Sequence, residues 1–331
     1  MTMSVVAPLP VSLRARLFLW ICRRFIKPSF PPRIDLAGAQ KFVARFDRWV
    51  GGKQKDHEKI SVNSTGLAAH WVGSSEAKPK YVILYLHGGG FMLHLPAVHA
   101  RLAARLCREI DAEALMPDYR LAPDFPLPAA HIDCFDTYRW LLAKGYDPSR
   151  IVIAGDSAGG LLVLATLQRI RDAKLPGPLC GVMFSPGTCV DSIRSLSAED
   201  TANDPIIGPG ILELLQRNVI DPLPHDDAET SPCAGRFNGL APVLFQVGST
   251  EMLLPHSVNG FEMAKAAGTH AELQIWPEMP HCWQAVHWLP EAKRALRCVA
   301  DFIVRQTASR APQCGSCSDA LTPSGTAEHA S

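Results

Sequence analysis

The chain has 331 residues, 47% of them hydrophobic and 20% charged, with 33 Lys and Arg against 32 Asp and Glu. That apolar content excludes wholesale disorder and collagen-like architecture, and a net charge of +1 without a long basic run gives no bulk attraction to nucleic acid. Ten cysteines scattered over this length are too sparse for a small disulfide scaffold and read as buried or neutral thiols in a reducing compartment.

The first 55 residues read as helical. Within them, Leu13 to Lys27 brackets a six-residue apolar run, Leu17 to Cys22, with Arg14, Arg16, Arg23, Arg24 and Lys27. Spanning a bilayer takes about 20 residues, and no small-residue cleavage pattern follows, so neither a membrane span nor a secretory signal is expected and the location reads as cytoplasmic. Two readings of residues 13–27 stand: a basic amphipathic helix lying on a membrane surface, with Trp20, Phe18 and Phe25 beside the arginines, or a helix packed on the rest of the protein, the commoner case.

Lys59 to Asn63 and Leu67 to Val72 then suggest an antiparallel hairpin, and Tyr81 to Leu86 (YVILYL) a strand covered on both faces. Val98, Leu102, Leu106 and Ile110 recur at spacing four as a helix face. Glu113 to Pro117, Ile151 to Ala154, Cys180 to Phe184, Val243 to Val247 and Leu273 to Trp276 are further short strands. They alternate with helical patterns at His131 to Lys144, Gly160 to Ala173, Val258 to Ala267 and Glu291 to Val304. This beat predicts an α/β protein with a mostly parallel sheet and helices on both faces. The polar, Pro-rich stretch from Cys189 to about Arg236 interrupts it, as lids and insertions do. Ala308 to Ser331 reads as a disordered tail in which Cys314 and Cys317 form a lone CxxC, a weak metal or redox signal.

Two glycine motifs give this scaffold a chemistry. Gly155-Asp156-Ser157-Ala158-Gly159-Gly160 lies between a strand and a helix, so its G-x-S-x-G has the strand–turn–helix setting in which a serine hydroxyl is raised above a sheet. The bare pattern arises by composition in about one chain in ten of this length, and the setting is what gives it weight. His87-Gly88-Gly89-Gly90 directly follows the strand Tyr81 to Leu86. Backbone without side chains lets N–H donors approach a developing oxyanion, so Gly88 and Gly89, with Ala158 after the serine, are the expected oxyanion hole. Ser157 needs a base, and in this architecture an acid and then the base follow it in the chain. His281 stands at loop distance beyond the strand Leu273 to Trp276, whereas His287 reads as decorating a helix, and His256 and His270 as solvated positions flanking one. Glu251, on the loop after Val243 to Val247, is the matching carboxylate, with Glu262, Glu272 and Glu278 as competitors. Cys282, next to His281, is a candidate for sensitivity to thiol reagents.

With both motifs intact at 87–90 and 155–160, residues 60–306 resemble the hormone-sensitive-lipase-like bacterial esterases of the α/β-hydrolase superfamily. Asp118-Tyr119-Arg120-Leu121-Ala122-Pro123 and Met279-Pro280-His281 support the resemblance. It implies Ser157 as nucleophile, His281 as base, Glu251 as acid, an oxyanion hole of Gly88, Gly89 and Ala158, and no metal or cofactor. It also implies a catalytic domain over 56–307, with a cap drawn from residues 1–55 and an insertion at about 189–236. The chain departs from the family's pattern by having Glu251 where Asp is usual, Asp124 where the family reads YRLAPE, and Pro255-His256 in place of an acidic pair. The expected reaction is hydrolysis of short- to medium-chain acyl esters. An amidase, deacetylase or lipase with the same triad is the alternative, and a non-catalytic small-ligand receptor a more distant one. The expected partner is a small-molecule ester and not nucleic acid, with membrane-surface contact through residues 13–27 and a homo-oligomer left open.

Overall fold

The structure is a computed structural model that describes residues 3–5, 11–51, 59–62, 66–73 and 79–310. Within these residues the strands are β1 (Met3–Val5), β2 (Lys59–Ser61), β3 (Ala68–Val72), β4 (Tyr81–Leu86), β5 (Ala112–Pro117), β6 (Ile151–Asp156), β7 (Cys180–Phe184), β8 (Val243–Gly248) and β9 (Ala271–Trp276). They form one sheet in the order β1-β9-β8-β7-β6-β4-β5-β3-β2. Pairing is parallel from β1 through β5, and antiparallel where β3 joins β5 and β2 joins β3. The α/β class, the mostly parallel sheet and the hairpin at its edge are as the sequence pattern predicts. The strand β1, beside β9, lies inside the stretch read as wholly helical; three residues are too few to show a period.

Strand β4 shows why the sheet needs cover on both faces. All six of its residues are buried. Successive side chains point to opposite sides, and they divide accordingly between two cores. Tyr81, Ile83 and Tyr85 pack with Leu102 and Leu106 of α3 (Pro96–Ile110) and Val299, Phe302 and Ile303 of α9 (Pro290–Arg310). Val82, Leu84 and Leu86 pack with Tyr138 and Leu141 of α4 (Leu127–Ala143) and Leu161, Leu164 and Leu167 of α5 (Ala158–Asp172). Helix α9 continues to Arg310, past the expected domain boundary; the CxxC at Cys314 and Cys317 lies outside the described residues.

The remaining helices are α1 (Leu13–Ile21), α2 (Leu36–Gly51), α6 (Val190–Arg194), α7 (Pro209–Leu215) and α8 (Leu254–Ala266). The N-terminal segment and the 189–236 stretch are tied together directly. Lys27 Nζ donates to the carbonyls of Thr201 at 2.6 Å and Asp204 at 2.8 Å, Arg33 N–H donates to Glu213, and Arg217 donates to the Ile34 carbonyl. A disulfide joins Cys189 to Cys233 across 44 residues, closing the base of the insertion. This corrects the expectation that the cysteines are all thiols: the partners share no spacing motif, and only the return of the chain sets their Cα atoms 5.1 Å apart. Closing a loop of that length stabilises a fold by about 4 kcal/mol on the chain-entropy account. His256 also departs from expectation. It is buried in α8 and not solvated, and burial lowers its imidazole to about 4.

Candidate active site

Ser157 stands between β6 and α5 with φ 54° and ψ −119°, a left-handed backbone that costs a non-glycine residue on the order of 1–3 kcal/mol. Ser157 N–H donates to the Phe184 carbonyl at 2.8 Å, and Gly160 N–H returns to the Ser157 carbonyl at 3.0 Å. Gly159 is required by space: any Cβ there would collide with the carbonyl of Leu86 at the end of β4. The hydroxyl is thereby held out above the sheet, half-buried while its strand neighbours are fully buried.

The parallel order brings the ends of β8 and β9 to the same side as β6. Ser157 Oγ lies 2.9 Å from His281 Nε2, and His281 Nδ1 lies 2.8 Å from Glu251 Oε2. Because Nδ1 faces a carboxylate, it is the protonated nitrogen, leaving Nε2 to accept the serine proton. The other Glu251 oxygen, Oε1, accepts the Gly248 N–H at 2.6 Å and the Ser185 hydroxyl at 2.7 Å. Ser185 Oγ in turn accepts the Cys282 N–H at 3.1 Å, so one hydroxyl braces both the acid and the loop of the histidine.

Burial raises Glu251 above the usual carboxylate range, against the pull of its bond to His281. Burial on its own would lower His281, but contact with Cys282 and with Glu251 reverses the direction and raises it. Burial pushes the Cys282 thiol up to about 11, so it is neutral at physiological pH and the carboxylate is what favours the imidazolium.

The glycine loop corrects one expectation. Gly88 N–H donates to Asp156 Oδ1 at 3.2 Å and is therefore committed within the protein. Gly89 (φ 109°) and Gly90 (φ 61°) make the turn, with Gly89 accepting Leu93 N–H at 2.9 Å; a Cβ on Gly89 would collide with the Leu93 carbonyl. Among the described residues the N–H groups of Gly89, Gly90 and Ala158 meet no protein acceptor. Ala158, the first residue of α5, has its donor free for the general reason that the first turn of a helix has no acceptor behind it. Asp156 also accepts the Tyr85 hydroxyl at 2.7 Å and lies 3.4 Å from His99 Nε2. Burial alone would raise Asp156, but His99 and Tyr85 outweigh it and hold the carboxyl down at about 2.

Three residues of the site were not singled out from sequence. Asp156 stands inside the GDSAGG run, so its position was on view although its bonds were not. Ser185 lies at the end of β7 with no motif around it. Asp204, buried in the 189–236 stretch, accepts Met252 N–H at 3.0 Å and so ties that stretch to the loop of Glu251. Among the rivals, His287 lies exposed in a turn and not in a helix, and Glu262 and Glu272 form ion pairs with Lys265 and Arg305 away from His281. Among the described residues no three His, Cys, Asp or Glu are grouped to hold a metal ion.

The alpha/beta hydrolase fold family model matches residues 83–285. An acetyl-hydrolase of Streptomyces hygroscopicus is 34% identical over 239 residues, covering 71% of this chain and 79% of that protein. A carboxylesterase/phospholipase, LipF, of Mycobacterium tuberculosis is 35% identical over 240 residues, covering 69% of this chain and 62% of its own length. In three dimensions, the crystal structure of an esterase from the bacterial hormone-sensitive lipase family superposes with a TM-score of 0.79 at 31% identity, over 90% of this chain and all of that one. Strand order, glycine motifs and these likenesses together make the chain a member of the α/β-hydrolase superfamily, in its bacterial hormone-sensitive-lipase branch of hydrolytic enzymes.

Proposed function

We propose that this protein is a serine carboxylic-ester hydrolase working through an acyl-enzyme on short- to medium-chain acyl esters. The observation that carries the reading is the unbroken chain Ser157–His281–Glu251, with links of 2.9 and 2.8 Å. His281 Nε2 takes the hydroxyl proton as Ser157 Oγ attacks the acyl carbon, and Glu251 stabilises the imidazolium that forms. The N–H groups of Gly89, Gly90 and Ala158 receive the oxyanion, each such donor being worth on the order of 10²–10³ in rate. His281 then gives the proton to the departing alkoxide. Water, deprotonated by the same nitrogen, attacks the acyl-enzyme, and collapse of the second tetrahedral intermediate restores Ser157. Residues 11–51 and the 189–236 stretch form the cap over this site, and Asp204 couples it to the acid loop. The names of the two curated relatives, an acetyl-hydrolase and a carboxylesterase, support the ester class.

A fluorophosphonate probe is expected to label Ser157 stoichiometrically, and a p-nitrophenyl series from acetate to palmitate to give its highest kcat/KM between acetate and octanoate. Absence of labelling would favour a non-catalytic receptor, and a maximum at palmitate a true lipase.

The raised Cys282 thiol yields a second expectation. Iodoacetamide should leave hydrolysis nearly intact at pH 7, with inactivation accelerating about tenfold per pH unit as the thiolate fraction grows toward its value near 11. A Cys282→Ala variant should lose that alkaline sensitivity. Rapid inactivation at pH 7 that this variant abolishes would contradict the assignment of a neutral thiol.

A further inference from the structure

Helix α1 has two apolar faces, and its packing uses one of them. Ala15, Phe18 and Cys22 are buried against Trp276, Met279, Trp283, Leu289 and Ala292. On the opposite side Leu13, Leu17 and Trp20 recur at i, i+4 and i+7 and are 82%, 54% and 58% exposed. Phe25, also exposed, stands edge-on to Trp20 with ring centroids 5.6 Å apart. Single exposed apolar side chains are ordinary on protein surfaces, whereas a contiguous set marks an interaction site.

The charge around this stripe has one sign. Arg16, Arg23 and Arg24, with Leu19 and Trp20, line an open depression of about 410 Å³ in which, among the described residues, Glu278 is the single acidic group. None of the three guanidinium groups forms an ion pair among the described residues. Residues 1–51 contain nine Lys and Arg against two Asp and Glu, a net +7 that leaves −6 on the rest of the chain. Of the two acids, Asp47 is buried and accepts the N–H groups of Ala97 and Val98. Helix α2 has the same mixture, with Phe42 and Trp49 exposed beside Lys41, Arg45 and Arg48.

We propose that α1 and the turn after it dock the protein on the surface of an anionic lipid bilayer. Leu13, Leu17, Trp20 and Phe25 enter the boundary between headgroups and acyl chains, and Arg16, Arg23 and Arg24 meet the lipid phosphates. The contact is with the surface, since among the described residues no helix is long and apolar enough to cross a membrane. A two-fold contact with a second copy would set this cationic face against itself, which like-charge repulsion opposes. Nucleic acid would satisfy the arginines but leave the apolar stripe in water. The docked face adjoins the candidate site: Glu278 and Met279, at the rim and under α1, lead directly into His281. The docking itself does not depend on the esterase reading, because vesicle binding is read without turnover.

The test is co-sedimentation of the full-length protein with vesicles of phosphatidylcholine alone and of phosphatidylcholine mixed with phosphatidylglycerol. Binding is expected only to the anionic vesicles and weakens as salt rises. Arg16→Gln, Arg23→Gln and Arg24→Gln are each expected to lower the partition coefficient about fivefold. Trp20→Glu abolishes binding while its far-UV circular dichroism and melting temperature stay those of the wild type, which shows the variant is folded; Trp20→Ala gives an intermediate loss. The proposal is overturned if the wild type stays in the supernatant with anionic vesicles, or if Trp20→Glu binds as the wild type does. It is equally overturned if the wild type sediments as a dimer that Trp20→Glu dissociates while neither binds vesicles, since the occupant would then be a second copy.

Discussion

Ser157→Ala is expected to lower turnover of p-nitrophenyl butyrate by on the order of 10⁶, the scale seen when a triad serine is removed. Far-UV circular dichroism should stay unchanged, because alanine adopts the same backbone at the elbow with the same strain. Glu251→Gln is the more informative partner experiment. The two oxygens of Glu251 accept from His281 Nδ1–H, Gly248 N–H and Ser185 O–H. An amide offers one accepting oxygen and one donating NH₂. In one orientation the NH₂ faces the imidazole and enforces the wrong tautomer; in the other it meets the Gly248 N–H, donor against donor. Turnover is therefore expected to fall by about 10⁴. The carboxylate also raises His281, so its removal should move the acidic limb of the kcat/KM profile to lower pH. Near-native turnover in Glu251→Gln, or an acidic limb that does not move, would require another acid.

The second large effect is on stability. His87, His131 and His256 are buried, and burial lowers their imidazoles to about 3, 4 and 4 respectively. In the unfolded chain the same rings take up protons below about 6.5. Between these values the unfolded state binds more protons than the folded state, so stability falls as pH drops from about 6.5. At pH 5 each ring accounts for a loss of about 2 kcal/mol, and the three together for about 6 kcal/mol, a large share of the roughly 5–15 kcal/mol that stabilises a typical domain. Asp156, at about 2, adds to the loss only below the ordinary carboxylate range. The melting temperature is expected to drop by roughly 10 °C or more between about pH 6.5 and pH 5. Substituting His256, whose Nδ1 meets no hydrogen-bond partner among the described residues, by leucine should flatten that slope. A melting temperature constant from pH 7 to 5 would mean that these rings become protonated within the fold.

Much of this architecture is legible in short windows of sequence because its causes are local. Strand β4 reads as a run of six apolar residues because helices cover both of its faces, and the helix α3 shows its spacing of four for the same reason of burial. The glycines at 87–90 and 155–160 signal their turns because only side-chain-free backbone fits where Gly159 passes the Leu86 carbonyl or Gly89 passes that of Leu93. The order serine, acid, histidine follows from strand order in a parallel sheet, so Ser157, Glu251 and His281 could be picked by their distance beyond successive strands.

What needed three dimensions is whatever depends on partners far apart in the chain. Gly88 lies in a motif that suggests an oxyanion donor, yet its N–H is taken by Asp156, 68 residues away. Ser185 sits 66 residues from the carboxylate it supports, and nothing around it marks it. Cys189 and Cys233 become a bond only when the insertion folds back on itself. The periodicity of α1 marks it as apolar without saying which side is buried; packing against Trp276 and Trp283 covers Phe18 and leaves Trp20 outside. By itself the sequence determined the class of fold, the elbow serine and the chain order of its partners, since these follow from periodicity and backbone sterics. Only the tertiary structure decided which N–H groups stay free, which carboxylate is braced and which face of α1 meets solvent, because each is settled by hydrogen bonds and packing between segments that no local pattern relates.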